Sequence, residues 1–164
     1  MINTQDFRAA MARLGAAVNI IVTDGPAGRH GMTVSAVCSV SDSPASLLLC
    51  VNRSARMHAM LKDNGRLTVN VLSGTQEALS SIFANRTLDM ETRFAMADWT
   101  MLDHGVPALT GALAAFGCTV HSTTEMGSHS IFLCEVEHLL LGGDEPGLVY
   151  FDRRYHALPM RAVA

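Results

Sequence analysis

The sequence predicts a mainly β fold, an antiparallel barrel with short helices at its periphery, and three observations carry that prediction. Six or seven short runs rich in Val, Ile, Leu and Thr are separated by compact turn signals, so most neighbouring strands should be joined as hairpins. Helical spacing persists only over short stretches, and strands do not alternate with long helices as a doubly wound parallel sheet requires. Hydrophobic residues make up 49% of the 164 residues and charged residues 16%. One domain spanning residues 1–164 can then bury roughly 70% of its unfolded surface, with apolar area left for a partner.

Thr4 is expected to cap a first helix, with Phe7, Ala10, Met11 and Leu14 at i, i+3, i+4 and i+7 and Gly15 at its end. Ala17 to Thr23 then reads as a strand, and Asp24-Gly25-Pro26-Ala27-Gly28 as the turn into its hairpin partner, Gly31 to Val40. Ser41-Asp42-Ser43-Pro44 breaks that strand, and Ser46 to Val51 is a near-continuous apolar run suited to a buried one. Ser54 is placed as the cap of a helix over Ala55 to Asp63, which Asn64-Gly65 stops. Arg66 to Leu72 is a strand, and Ser73 or Thr75 caps a helix to about Ala84. Residues 85–107 read as irregular. Ala112 to Thr124 and Ser130 to Leu141 are long strands around Glu125-Met126-Gly127-Ser128-His129, and Leu148 to Phe151 closes the series before a tail from Asp152 to His156.

The Gly31 to Val40 strand has an unusual polar face. A half-buried strand normally alternates apolar residues with long solvated ones. Here the polar members are the small hydroxyls Thr33, Ser35 and Ser39. The face suits either a flat heteroaromatic ligand close to the backbone or a covering element that satisfies the hydroxyls internally.

Charge and cysteine usage restrict the function. A net charge of −3 argues against a broad nucleic-acid footprint. The first residues lack a basic region followed by an apolar core, and no apolar run approaches the roughly 20 residues needed to span a bilayer. Cys38, Cys50, Cys118 and Cys134 lie on separate strands without a Cys-x-x-Cys pair, as buried small hydrophobes of a reducing compartment would. A cytoplasmic protein with neither nucleic-acid nor membrane partners is expected.

Several chemistries find no support. No Gly-x-Gly-x-x-Gly follows a strand and no Gly-x-x-x-x-Gly-Lys occurs, so a bound nucleotide would not be held by a Rossmann turn or a P-loop. The seven histidines show no metal-ligand spacing, and Cys118 and His121 point to opposite faces of one strand. No metal is expected. There is no Gly-x-Ser-x-Gly elbow either.

Two constellations remain. Cys50-Val51-Asn52-Arg53-Ser54-Ala55-Arg56 carries a strand directly into a helix N-terminus, where unpaired N–H groups, a hydroxyl, an amide and two arginines favour an anion. It reads equally as a Ser-capped surface helix with solvated arginines. Gly127-Ser128-His129 permits close backbone approach beside an imidazole, or is simply a hairpin with a solvated histidine.

The chain resembles the short-chain flavin reductase family. The resemblance runs from about Phe7 to His156 and rests on Phe7-Arg8-x-Ala10-Met11, Thr33-x-Ser35-Ala36-Val37-Cys38-Ser39-Val40, Cys50-Val51-Asn52-Arg53-Ser54, Asn64-Gly65-Arg66-Leu67-x-Val69-Asn70, Arg93-Phe94, Gly127-x-His129 and Tyr150-Phe151-x-Arg153-Arg154-Tyr155-His156. Within the family it is most similar to the reductase component of 4-hydroxyphenylacetate 3-monooxygenase and to the pyrimidine-utilisation flavin reductase.

The resemblance implies a Greek-key split β-barrel binding FMN or FAD, with NADH or NADPH as hydride donor. It implies flavin contacts at Thr33, Val34, Ser35, Ala36 and Val37, at Cys50, Val51, Asn52, Ser54 and Ala55 around the phosphate, and at Phe83, Ala84 and Arg86. Gly127, His129 and Tyr155 are implied for the nicotinamide nucleotide, with His129 orienting its ring; Ser128 stands where Thr or Asp is usual. A homodimer that supplies reduced flavin to a separate monooxygenase is the implied assembly. The alternatives are a non-enzymatic FMN electron-transfer module and an oxidase similar to the pyridoxamine-phosphate oxidases.

Overall fold

The computed structural model describes residues 2–160. In chain order its elements are α1 (Thr4–Met11), β1 (Ala16–Ala17), β2 (Asn19–Thr23), β3 (His30–Val34), β4 (Val37–Asp42), β5 (Ala45–Asn52), α2 (Arg56–Asn64), β6 (Arg66–Val71), α3 (Glu77–Ala84), α4 (Met90–Ala95), β7 (Trp99–Met101), β8 (Pro107–Leu109), β9 (Ala114–Met126), β10 (His129–Leu141), β11 (Gly147–Phe151) and β12 (Arg154–Leu158). The protein is mainly β, with short helices, and its strand pairs are antiparallel. No helix among the described residues is long and apolar enough to cross a membrane.

The main sheet has seven strands in the order β3-β2-β6-β9-β10-β5-β4. Its two edge strands are consecutive in the chain. The expected Gly31 to Val40 strand is therefore two strands: β3 pairs with β2 at one edge and β4 with β5 at the other. Ser35 and Ala36 make the corner, where the Val37 N–H donates to Ser35 O (3.0 Å) and the Cys50 N–H to Ala36 O (3.0 Å). Three peptide units separate Val34 from Val37, so the edges lie within about 11 Å of each other there. A seven-stranded sheet must curl to bring its edges that close. Apolar alternation continues through the corner, which is why the sequence pattern conceals the change of partner.

β2 is buried on both faces, and side-chain alternation divides it between two cores. Ile21 packs with Leu49, Met57, Leu61, Leu67 and Phe132 under α2. Ile20 and Val22 pack on the other face with Leu72, Phe83, Phe94 and Leu148. Asn64, at the end of α2, ties down the β2–β3 turn: its Oδ1 accepts from the Ala27 N–H (2.8 Å), and its Nδ2 donates to Thr23 Oγ1 (3.1 Å) and Gly28 O (2.9 Å).

Several expectations are corrected. Asn3, not Thr4, caps α1 by accepting from the Gln5 N–H (2.9 Å); α1 ends at Met11, short of Gly15, and none of its residues is buried. The 46–51 run alternates between buried and half-buried residues, because β5 is covered on one face only. Segment 85–107 contains α4, β7 and the first residue of β8, elements too short for periodicity to reveal. The tail forms β12, turned back by Asp152 and Arg153 at φ 48° and 61°. Cys38 is exposed on edge strand β4, whereas Cys118 and Cys134 are buried, which pushes their thiols well above the usual range, Cys134 to about 12. Gly65, at φ 68°, terminates α2 in the left-handed conformation, as the Asn64-Gly65 signal predicts.

Candidate functional site

The strand-to-helix junction after β5 is an Asx turn. Asn52 Oδ1 accepts from both the Ser54 N–H (2.9 Å) and the Ser54 hydroxyl (2.8 Å). Ser54 therefore does not cap α2, a correction to the expectation. The N-cap is Ala55, with no capping side chain. The first turn of α2 thus presents backbone N–H groups and the positive end of the helix dipole without an internal acceptor from a cap.

A cavity of about 650 Å³ opens there, between the start of β3, the Asn52–Arg56 junction, the end of α3 and the loop into α4. Arg29, Arg56, Arg86 and Arg93 all reach its wall, and among the described residues Asp89 is the one carboxylate lining it. That carboxylate accepts from the Thr92 N–H (2.7 Å) at the start of α4, a bond that holds its pKa below the usual carboxylate value. Arg29 is ion-paired with Asp24 (3.3 Å) and lies over the Phe94 ring (5.1 Å). The electrostatic character of the cavity is cationic and suits phosphate oxygens.

Arg93 builds one wall. It is buried, 7% exposed, and its guanidinium donates to three carbonyls: Leu88 (3.0 Å), Phe83 (3.2 Å) and Asn85. Those bonds fold the loop after α3 so that Arg86 and Leu88 face the cavity. Burial lowers the pKa of Arg93 from its ordinary value.

A smaller pocket, about 190 Å³, is lined by Val18, Thr33, Val34, Ser35, Ala84, Tyr150 and Tyr155. Thr33 and Ala84 line both spaces, so the two meet there. The Thr33 hydroxyl donates to Ser80 O (2.6 Å), and Ser80 Oγ shares a hydrogen bond with the Tyr155 hydroxyl (2.9 Å). The first contact fastens α3 to β3 of the main sheet, and the second fastens it to β12, which pairs with β11. The proton of Thr33 is used internally and its lone pairs remain; Ser35 is exposed at the pocket.

Of the residues singled out from sequence, Thr33, Val34, Ser35, Asn52, Ser54, Ala55, Phe83, Ala84, Arg86 and Tyr155 line one space or the other. Ala36 lies in the corner itself, and Val37 lies past it and packs on the core. Cys50 lies in the β5 ladder, and Val51 is in the core at 1% exposure. Gly127 and His129 line neither space, yet they stand close: His129 faces Asn52 across the β10–β5 ladder. The Arg53 N–H donates to Ser128 O (2.9 Å) and its guanidinium to Gly127 O (3.3 Å), so the hairpin tip is docked on the junction. Arg53 turns away from the cavity toward Glu125 (3.3 Å), leaving Arg56 as the junction's charge within it. The sequence reading gave no site role to Arg29, His30, Asp89 or Arg93, although Arg93-Phe94 stands among the motifs of the resemblance. Arg29 and His30 adjoin the motif strand and were within reach of it; Asp89 caps, and Arg93 belongs to, a helix whose existence periodicity does not show.

These features define the class of protein: an antiparallel β fold with a cationic cavity at an uncapped helix N-terminus, and no dinucleotide-binding turn. Residues 11–159 match the family described as flavin reductase like domain, and the chain belongs to that family. It is 52% identical over 157 residues to the FMN reductase (NADH) RutF of Serratia proteamaculans, covering 96% of this chain and 89% of the relative. Among solved structures, BorF, the flavin reductase component of a bacterial two-component tryptophan halogenase, superposes with a TM-score of 0.90 at 29% identity, covering 97% of this chain and 100% of that one. The NADH:FAD oxidoreductase SgcE6 of Streptomyces globisporus, solved with NAD and FAD fragments, superposes with a TM-score of 0.89 at 29% identity, covering 99% of each chain.

Proposed function

We propose that this protein transfers hydride from NADH to a flavin, FMN before FAD, and releases the reduced flavin to a separate oxygenase. The observation that carries the reading is the junction of a cationic cavity with a small aromatic pocket at Thr33 and Ala84, in a chain 52% identical to an FMN reductase (NADH). A flavin mononucleotide has the same two-part character, an anionic phosphate and a flat heteroaromatic ring. The residues present fit it. The α2 N-terminus with Ser54 and Arg56 would hold the phosphate, and Thr33 to Ser35 with Tyr155 would flank the ring. The bound flavin supplies the hydride-accepting chemistry. The chain's own residues bind, orient and exclude water, so an acid–base dyad is not required.

His129 is assigned to orienting the nicotinamide from the docked hairpin tip. The fold is read as a split barrel, a reading supported by the two-residue link between the edges of the sheet. Self-association into a homodimer is supported by the uncovered stripe of α1 and the turn after it, where Phe7 is 54%, Met11 46% and Leu14 61% exposed.

Purified protein mixed with NADH and FMN, FAD or riboflavin, followed by the loss of NADH absorbance, tests the reading. Turnover with added free flavin, fastest with FMN, is expected; no NADH oxidation with any flavin would refute it. In the same assay His129→Ala should raise the apparent KM for NADH far more than that for FMN, and equal effects on both would remove the His129 assignment.

A further inference from the structure

His30 opens β3, opposite Thr23 in the β2–β3 hairpin, and its ring forms part of the wall of the larger cavity. Its Nδ1 is buried without a hydrogen-bond partner among the described residues. Nε2 makes no hydrogen bond among the described residues and is not sealed off as Nδ1 is, which leaves it as the ring nitrogen open to the cavity that His30 lines. An N–H shut away from water without an acceptor is costlier than an unpaired lone pair. The neutral ring therefore carries its proton on Nε2 and presents a donor to the cavity.

Adding a second proton would place an unpartnered donor at buried Nδ1, and the charges around the ring oppose it. Arg56 faces it from α2, Arg93 from α4 and Arg29 from the adjoining position, with Arg86 on the loop beyond. The acids nearby are committed: Asp24 to Arg29 and Asp89 to the Thr92 N–H. Burial, with the guanidiniums of Arg56 and Arg93, pushes the pKa of His30 down to about 4.

Resting on the reading of the cavity as a flavin site, we propose that His30 is a positioning residue for the flavin phosphate, donating its Nε2–H to a phosphate oxygen while remaining neutral. The arginines supply charge on long side chains. An imidazole held on a strand at the foot of α2 adds direction, and so selects phosphorylated flavins over riboflavin without making binding depend on pH near neutrality.

The test is flavin affinity, measured by fluorescence quenching with FMN and with riboflavin, for the wild type, His30→Ala and His30→Gln. Loss of one hydrogen bond to a charged group should weaken FMN binding about tenfold in His30→Ala, leave riboflavin binding unchanged within about twofold, and be largely restored by the amide donor of His30→Gln. The ratio of variant to wild-type Kd for FMN should be flat from about pH 5.5 to about pH 8.5, because titration of the phosphate itself is common to both proteins. Nitrogen NMR of the FMN complex at about pH 6 should show Nε2 protonated and Nδ1 unprotonated, the neutral tautomer, whereas a charged ring carries a proton on both nitrogens. Equal losses for FMN and riboflavin, a ratio that grows as pH falls, or a doubly protonated ring in the complex would each overturn the proposal. Wild-type protein that binds riboflavin as tightly as FMN overturns it alone, whereas wild-type protein that binds neither flavin takes the flavin-site reading down with it.

Discussion

Replacing Gly31 with alanine should destabilise the protein by driving a methyl group into the ring of Phe83. A Cβ on Gly31 would lie 2.6 Å from Cε1 and 2.9 Å from Cδ1 of that ring, and 3.3 Å from Cζ of Phe94. Ordinary contact begins at 3.4 Å, so the ring must retreat by about 0.8 Å, the difference between 3.4 and 2.6. It has little room. Phe83 is 1% exposed and edge-on to Phe94 (5.4 Å between centroids) and Trp99 (5.8 Å), while its carbonyl is held by Arg93 (3.2 Å). Overpacking of this kind costs about 1–3 kcal/mol.

Urea unfolding measures the effect as a lower midpoint at unchanged slope. Phe83→Leu combined with Gly31→Ala should relieve the clash, so the double variant should be less destabilised than the sum of the singles by about 1 kcal/mol or more. Additivity within about 0.5 kcal/mol, or a single variant as stable as wild type within that margin, would refute the close approach of β3 to α3. Because Phe83 also lines the larger cavity, FMN affinity should fall with stability in the single variant and return in the double.

Three further outcomes are expected. Ser35→Leu fills the 190 Å³ pocket from an exposed position; it should abolish flavin binding by equilibrium titration while leaving the unfolding free energy within about 0.5 kcal/mol of wild type. Arg93→Met orphans three carbonyls and should cost about 3 kcal/mol or more, with new protease cleavage between Phe83 and Asp89. The pKa of His30 is about 4 when folded and 6.5 as the free side chain, so between those values the unfolded chain binds the extra proton and stability falls as pH falls. His30→Gln should flatten that part of the stability–pH curve relative to wild type; identical slopes for both proteins would contradict a neutral, half-buried imidazole.

The anion-favouring junction at Asn52–Arg56 was legible in the sequence, because a strand running into a helix N-terminus is a local arrangement of consecutive residues. The role of each residue within it was not. Ser54 has the chemistry of a cap, yet Asn52 takes both its protons, and only backbone geometry decides that. Arg53 and Arg56 are equivalent in the sequence, but helix direction sends one into the cavity while the docked hairpin tip draws the other toward Glu125.

The sequence by itself determined the antiparallel β class, the turn positions and the absence of dinucleotide-binding turns, since each depends on spacing within a few residues. Tertiary structure alone decided that Gly31 to Val40 divides between opposite edges of one sheet, and that Arg93 and His30 meet across a single cavity. Sixty-odd positions separate those two side chains in the chain. What brings them together is the burial of Ile20, Val22, Phe83 and Phe94 in one core, a packing solution that no local pattern encodes.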